Sequence, residues 1–363
     1  MSFHTAQWYI RTPIRRGEIL SSWLIRAALD LGCSPLLLVE ALWGNWRALT
    51  VDLDRGVSVD RLDSLQAHCW ENKQTILKTM LNSIVFELNQ KPNKSWILAL
   101  GQRNRSNFSG RQVCVECLKR DGSSPYLRLM WRMSWHICCE EHRVELIDHC
   151  PACGITIQPF KVDLEHGSLA ICTSCRYNFI KHKSQYADFK VLEFQKDADS
   201  VFKTGIGIYN KQTIPSSEWF AIARAWLSEI RLLINSKNIH LIQMFKSLGV
   251  DLEVPVPVTP LSFEYLNTHE RKILLSILNQ IMKIPCDLIV KHSYDYGITN
   301  ASFWDNRKQL PIMLVQMKAA MIKNGRIYPS QRVRHLINQP KSKKTVQRKW
   351  LKLLRKLKKV GVS

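Results

Sequence analysis

The sequence predicts a mainly α protein with a small cysteine-rich α+β module near its middle. Apolar residues recur at helical spacing on both sides of that module, and the module itself carries a regular series of Cys-x2-Cys and Cys-x2-His pairs. The 363-residue chain is 45% hydrophobic and 23% charged, an ordinary composition for a chain that buries a core. Its length allows two or three domains.

Charge is where the composition departs from the ordinary. There are 52 Lys+Arg against 30 Asp+Glu, a net +22. Such a surplus repels itself unless a polyanion lies nearby, and nucleic acid is the default partner. No run of 18 apolar residues occurs, which argues against a membrane span. Met1 to Arg16 carries polar and charged residues in place of an apolar signal core, so a cytoplasmic protein is expected. The 11 Cys are then reduced thiols or metal ligands.

The first expected unit, residues 1–105, is a helix-turn-helix-like bundle. From Glu18 to Leu31 the residues Ile19, Leu20, Trp23, Leu24, Ala27, Ala28 and Leu31 repeat at helical spacing. Gly32 supplies a C-cap, and Ser34-Pro35 restarts a helix as N-cap and first-turn proline. Helix, short turn, helix fits a helix-turn-helix and equally any αα-hairpin. Its faces are apolar, which disfavours the reading of DNA bases by this pair. Further helical patterns occupy Asp63 to Gln74 and Thr75 to Leu88.

Residues 106–182 form the expected metal module. Cys114-x2-Cys117 is followed by Cys139-x2-His142, then Cys150-x2-Cys153, then Cys172-x2-Cys175. An x2 interval lets two ligands on one tight turn reach the same tetrahedral ion, and two such knuckles complete a site. The four pairs therefore predict two structural Zn2+ ions per chain and tandem zinc knuckles of zinc-ribbon type. Cys138, beside Cys139, is the alternative ligand; the x2 interval to His142 favours Cys139. His136 and His149 are read as surface or supporting groups. Each site has four protein ligands, which leaves no open catalytic position. His-Glu-x-x-His, the deaminase signature and the phosphate-binding Gly-x4-Gly-Lys-Ser/Thr are all absent, so no enzymatic activity is expected. Between the first two knuckles, Tyr126 to His136 is dense in arginine and tryptophan; packing around the module is favoured over stacking on bases.

Beyond Tyr177 the chain reads as irregular up to Ser216. Helical patterns follow from Ser217 to Phe245 within a region bounded at 183–253. Val254 to Pro260 is a stiff proline-rich connector, and a C-terminal helical, DNA-binding unit is expected at 261–338, with a strong helix from Thr268 to Ile284. The tail, residues 339–363, is a basic amphipathic helix: residues 340–363 hold 10 Lys+Arg and no acid. Val346, Trp350, Leu353, Leu354 and Leu357 share one face of it. Lys343, Lys344, Arg348, Lys349, Lys352, Arg355 and Lys356 are its candidate phosphate contacts.

Taken in order, Pro13 with Arg16 to Arg26, the pair Cys114/Cys117, Trp131, Trp135, Cys139/His142 and His149-Cys-Pro-Ala-Cys-Gly154 with Cys172/Cys175 resemble the TniQ/TnsD family of bacterial transposon target-selection proteins. The likeness covers roughly residues 10–180. Ile298 to Arg307 is also similar to a DNA-binding repeat of longer members, which adds Arg307 to the nucleic-acid contacts. The resemblance implies a non-enzymatic adaptor. Such an adaptor recognises attachment-site DNA or a CRISPR effector complex and recruits an AAA+ ATPase regulator, which brings the transposase. DNA, that regulator, the effector complex and a second copy of the chain are its candidate partners. A zinc-containing transcription factor is the alternative, and a zinc-braced nuclease is disfavoured because Gly154 to Ile171 offers only His166 as a histidine.

Overall fold

The computed structural model describes residues 7–46, 48, 51–83, 96–100, 110–236, 238–250, 252, 261–304, 309–323, 347 and 350. The chain divides into a body of residues 1–322 and a second of residues 323–363. The connector at Val254 to Pro260, Arg307, and the seven basic tail contacts lie outside the described residues.

Helix α1 (Leu20–Asp30) is buried continuously from Leu20 to Ala28, as a helix apolar on most sides must be. It ends in a Schellman turn. The Cys33 N–H reaches the Ala28 carbonyl and the Gly32 N–H that of Leu29, each at 3.0 Å. Gly32 takes the φ of +70° this turn requires, which glycine adopts without a Cβ clash. Ser34 then accepts the Leu37 N–H, Pro35 fills the first turn, and α2 (Pro35–Trp43) leaves at 107° to α1. With α3 (Val59–His68) and α4 (Lys73–Leu77) these helices enclose an N-terminal core of Trp8, Trp23, Leu24, Leu42, Leu65 and Ile76. Ile25, on another side of α1, belongs to the main core, so α1 is shared by both.

The cysteine-rich segment is built from α5 (Val115–Arg120), a 3-10 turn at Leu129–Arg132, and the antiparallel hairpin β1 (Cys138–Cys139) and β2 (Val144–Glu145). The arginine- and tryptophan-rich run is committed to the interior. Trp131 and Trp135 are buried. Arg132, 1% exposed, pairs with Asp52 at 2.7 Å and Asp54 at 3.0 Å. Arg128 pairs with Asp121 and lies over the Tyr126 ring at 3.9 Å.

One stretch departs from the sequence expectation. The segment read as irregular contains α6 (Phe189–Thr204) and a hairpin of β3 (Ile206–Tyr209) and β4 (Gln212–Pro215). Asp188 caps α6 by accepting the Lys190 and Val191 N–H groups. Asn210 and Lys211 both have positive φ, the two-residue turn that matches strand twist. The buried face of α6 includes Gln195 and Asp199, and polar residues at those positions break the apolar period.

Four helices follow in near succession: α7 (Ser216–Ser236), α8 (Ile239–Ser247), α9 (Thr268–Met282) and α10 (Cys286–Asp295), then α11 (Ile312–Ala319). Asn267 and Glu270 form a capping box that starts α9. α9 packs on both α6 and α7, and one main core runs from Ile19 through Trp135, Trp226 and Leu278 to Met321. The protein is thus mainly helical, with short strands around the cysteines and in one hairpin. No single helix among the described residues is long and apolar enough to cross a membrane.

Candidate metal centres

Three of the four knuckles use the same turn. The carbonyls of Cys139, Cys150 and Cys172 accept the N–H groups of Arg143, Gly154 and Arg176, at 2.8, 2.8 and 2.9 Å. Each of those fourth residues lies in the left-handed region, at φ of 51°, 71° and 60°. This turn swings the second ligand of the x2 pair back onto the first. The Cys114 knuckle is different: it opens α5, with the Cys117 N–H donating to Cys114 Sγ at 3.4 Å.

These turns bring all eight ligand atoms into two groups: Cys114, Cys117, Cys139 and His142, then Cys150, Cys153, Cys172 and Cys175. In the first, Sγ of Cys117 and Cys139 are 3.6 Å apart. His142 Nδ1 lies 3.7, 3.4 and 3.4 Å from the sulfurs of Cys114, Cys117 and Cys139. In the second, Cys150 and Cys175 are 3.6 Å apart, and Cys153 and Cys172 3.7 Å. Ligands about 2.3 Å from a tetrahedral ion stand about 3.8 Å from one another, slightly less for nitrogen. A disulfide would need about 2.05 Å. Both groups therefore have the edge lengths of a tetrahedral, thiolate-rich metal site.

Cys138 takes no part. Its backbone is clamped by Gln195, whose Oε1 accepts its N–H at 3.1 Å and whose Nε2 donates to its carbonyl at 2.9 Å. Burial pushes its thiol up to about 12, and its side chain belongs to the main core rather than to either metal group. Cys139 lies among the first group, where Cys114 and Cys117 hydrogen-bond to it. Neither His136 nor His149 ligates. His136 is buried and bonded through Nε2 to Asp199 at 2.7 Å, which also accepts the Trp135 indole N–H at 2.8 Å.

Supporting groups that spacing alone does not reveal tie the knuckles to the helices. Asp148, directly before His149, accepts the Thr268 N–H at 2.8 Å and so caps the start of α9. It also bonds His149 Nδ1 at 2.7 Å, and this bond raises the His149 pKa. Arg271, fully buried, donates to Leu266 O, Ser134 O and Gln112 Oε1. Burial lowers its guanidinium to about 10, with Asp148 acting in the opposite sense.

Residues 9–146 match the TniQ family model. The chain carries a TniQ domain. Among curated proteins nothing matches the chain. The TniQ match takes in α1 to α4 and the whole first metal centre, and it ends just before Cys150, so the second centre lies beyond it. TniQ is a family of non-enzymatic, DNA-binding adaptors associated with transposition.

Proposed function

We propose that the chain is a target-selection adaptor for transposition, braced by two structural zinc ions and without catalysis of its own. The TniQ match carries the reading. The donor sets support zinc: three thiolates with an imidazole, and four thiolates, suit that ion, and four protein ligands leave no position for a reacting water. In this role the chain links a target, attachment-site DNA or a CRISPR effector complex, to an AAA+ ATPase regulator and through it to the transposase. DNA contact falls to Arg307 and the basic tail, Lys343, Lys344, Arg348, Lys349, Lys352, Arg355 and Lys356. The site of action is the bacterial cytoplasm. A transposition assay with the neighbouring transposase and regulator tests the reading. Omitting this chain should abolish target choice and leave strand-transfer chemistry intact. Unchanged target choice, or nuclease activity that co-purifies with the chain and vanishes in His166→Ala, overturns it.

A further inference from the structure

The basic surplus is unevenly spread. Residues 1–83 hold 9 Lys+Arg and 8 Asp+Glu, so the charge lies almost wholly beyond them. Part of it gathers on the first metal centre. Residues 183–187 run extended across that centre, leaving the 3-10 turn Phe179–Lys181. The Gln185 carbonyl accepts the Glu145 N–H at 2.8 Å, the Ala187 N–H donates to the Arg143 carbonyl at 2.9 Å, and Tyr186 forms an antiparallel bridge with Val144. Lys183 and Gln185 are exposed, as is Lys181 at the end of the turn, while Ser184 is turned onto Glu116 of α5 at 2.9 Å. Lys119 and Arg120, three and four residues on, share the Glu116 side of α5. Arg143 is exposed in the turn beneath the strap.

On this face Lys119, Arg120, Arg143, Lys181 and Lys183 outnumber the carboxylates Glu116 and Glu141. Lys119, Arg143, Lys181 and Lys183 form no ion pair among the described residues; Glu141 pairs with Arg120, and Glu116 accepts the Ser184 hydroxyl and keeps its negative charge. Three thiolates and a divalent ion would add a single negative charge beneath the surface. Tyr186, 88% exposed, and Phe189, 76% exposed, stand at the end of the strap. Unpaired cations on a rigid, metal-braced support fit a polyphosphate backbone, which is bound through its charge.

We propose that the strap 183–187, with Lys181, Lys119 and Arg143, is a contact surface for the phosphodiester backbone of duplex DNA, separate from the basic tail. This rests on the DNA-contact part of the function proposed above. Binding of the full chain to random-sequence duplex, measured across salt concentrations, tests it. Each lost phosphate contact flattens the slope of log K against log[salt] by about 0.9. Lys181→Gln/Lys183→Gln should therefore flatten it by about 1.8, and Lys119→Gln, on a separate element, by about 0.9 more. Metal content equal to that of the unaltered chain shows that the fold is kept. If the unaltered chain binds and both variants, correctly folded, keep its slope, the strap assignment fails while the DNA-contact reading stands. If the unaltered chain does not bind duplex at all, the DNA-contact reading fails and the strap falls with it. A slope that only deletion of residues 340–363 flattens also overturns the strap.

Discussion

In the first metal centre three of four ligands are buried, one knuckle is the start of a helix, and the strap, α5 and the β1–β2 hairpin close over the site. In the second, Cys153 and Cys175 are exposed and both knuckles are short turns. The ligand chemistry is nearly the same. What differs is how much apolar structure rests on each ion. Cys114, Cys117 and Cys139 are themselves members of the main core, beside Leu118, Val144 and Leu146, while only Cys150 and Cys172 join it from the second centre. Metal affinity in such modules is folding energy, so the first ion should hold the body together and the second should hold a projection on it.

Replacing one ligand in each centre tests this contrast most strongly. Cys117→Ser should lose one metal ion per chain and unfold the body, because structural zinc contributes about 10–16 kcal/mol and a domain keeps only about 5–15. Cys175→Ser should also lose one ion but retain a cooperative, lower-temperature unfolding transition. Metal analysis combined with calorimetry reads both. Equal losses of stability would break the comparison.

The buried arginine that ties α9 to the segments flanking the first centre comes next. Arg271→Met leaves three buried acceptors, Leu266 O, Ser134 O and Gln112 Oε1, without their donor. A cost of about 3 kcal/mol is expected in denaturant unfolding, with both ions retained. Loss of the second ion in this variant would mean that Asp148 and α9 support the knuckle itself.

A smaller effect sharpens the first side of the contrast through pH. Burial raises Asp52, but Arg132 alongside outweighs it and holds the carboxyl at about 2, below the value near 3.9 of an unfolded chain. A depressed carboxylate contributes stability that is present above the unfolded value and lost as pH falls through the folded one. Asp52→Asn should thus be less stable by about 2 kcal/mol at pH 6, and the gap should narrow between about pH 4 and pH 2. Acid release of metal is common to both proteins and drops out of the difference. A gap that stays constant with pH rejects the ion pair as its source.

The smallest effect belongs to the shared turn. Gly154 has φ +71° and open space within 4 Å of where a Cβ would stand, so Gly154→Ala should cost only the left-handed backbone penalty, about 1 kcal/mol. Arg176→Gly, at φ 60°, relieves the same strain and should change stability by less than about 0.5 kcal/mol, because glycine also loosens the unfolded chain. Thermal midpoints of the two variants, measured with metal bound, give the comparison.

Local chemistry was readable without the fold. The x2 pairs announce their sites because the ligands of each knuckle are neighbours in sequence. The α1–α2 corner is equally local, since Gly32, Ser34 and Pro35 set its caps within a few residues. Tertiary structure decided what depended on distant partners. The choice of Cys139 over Cys138 rests on Gln195, 57 residues away, which clamps the Cys138 backbone and turns its thiol into the core. Helix α6 escaped the apolar pattern for the same reason: Gln195 and Asp199 are buried polar residues whose bonds lie on Cys138, Trp135 and His136. Arg132 and Arg271 are charged residues inside the body because Asp52, Asp54 and a set of carbonyls meet them there. A buried polar group is stable only when its partner arrives, and hydrophobic periodicity carries no record of that partner.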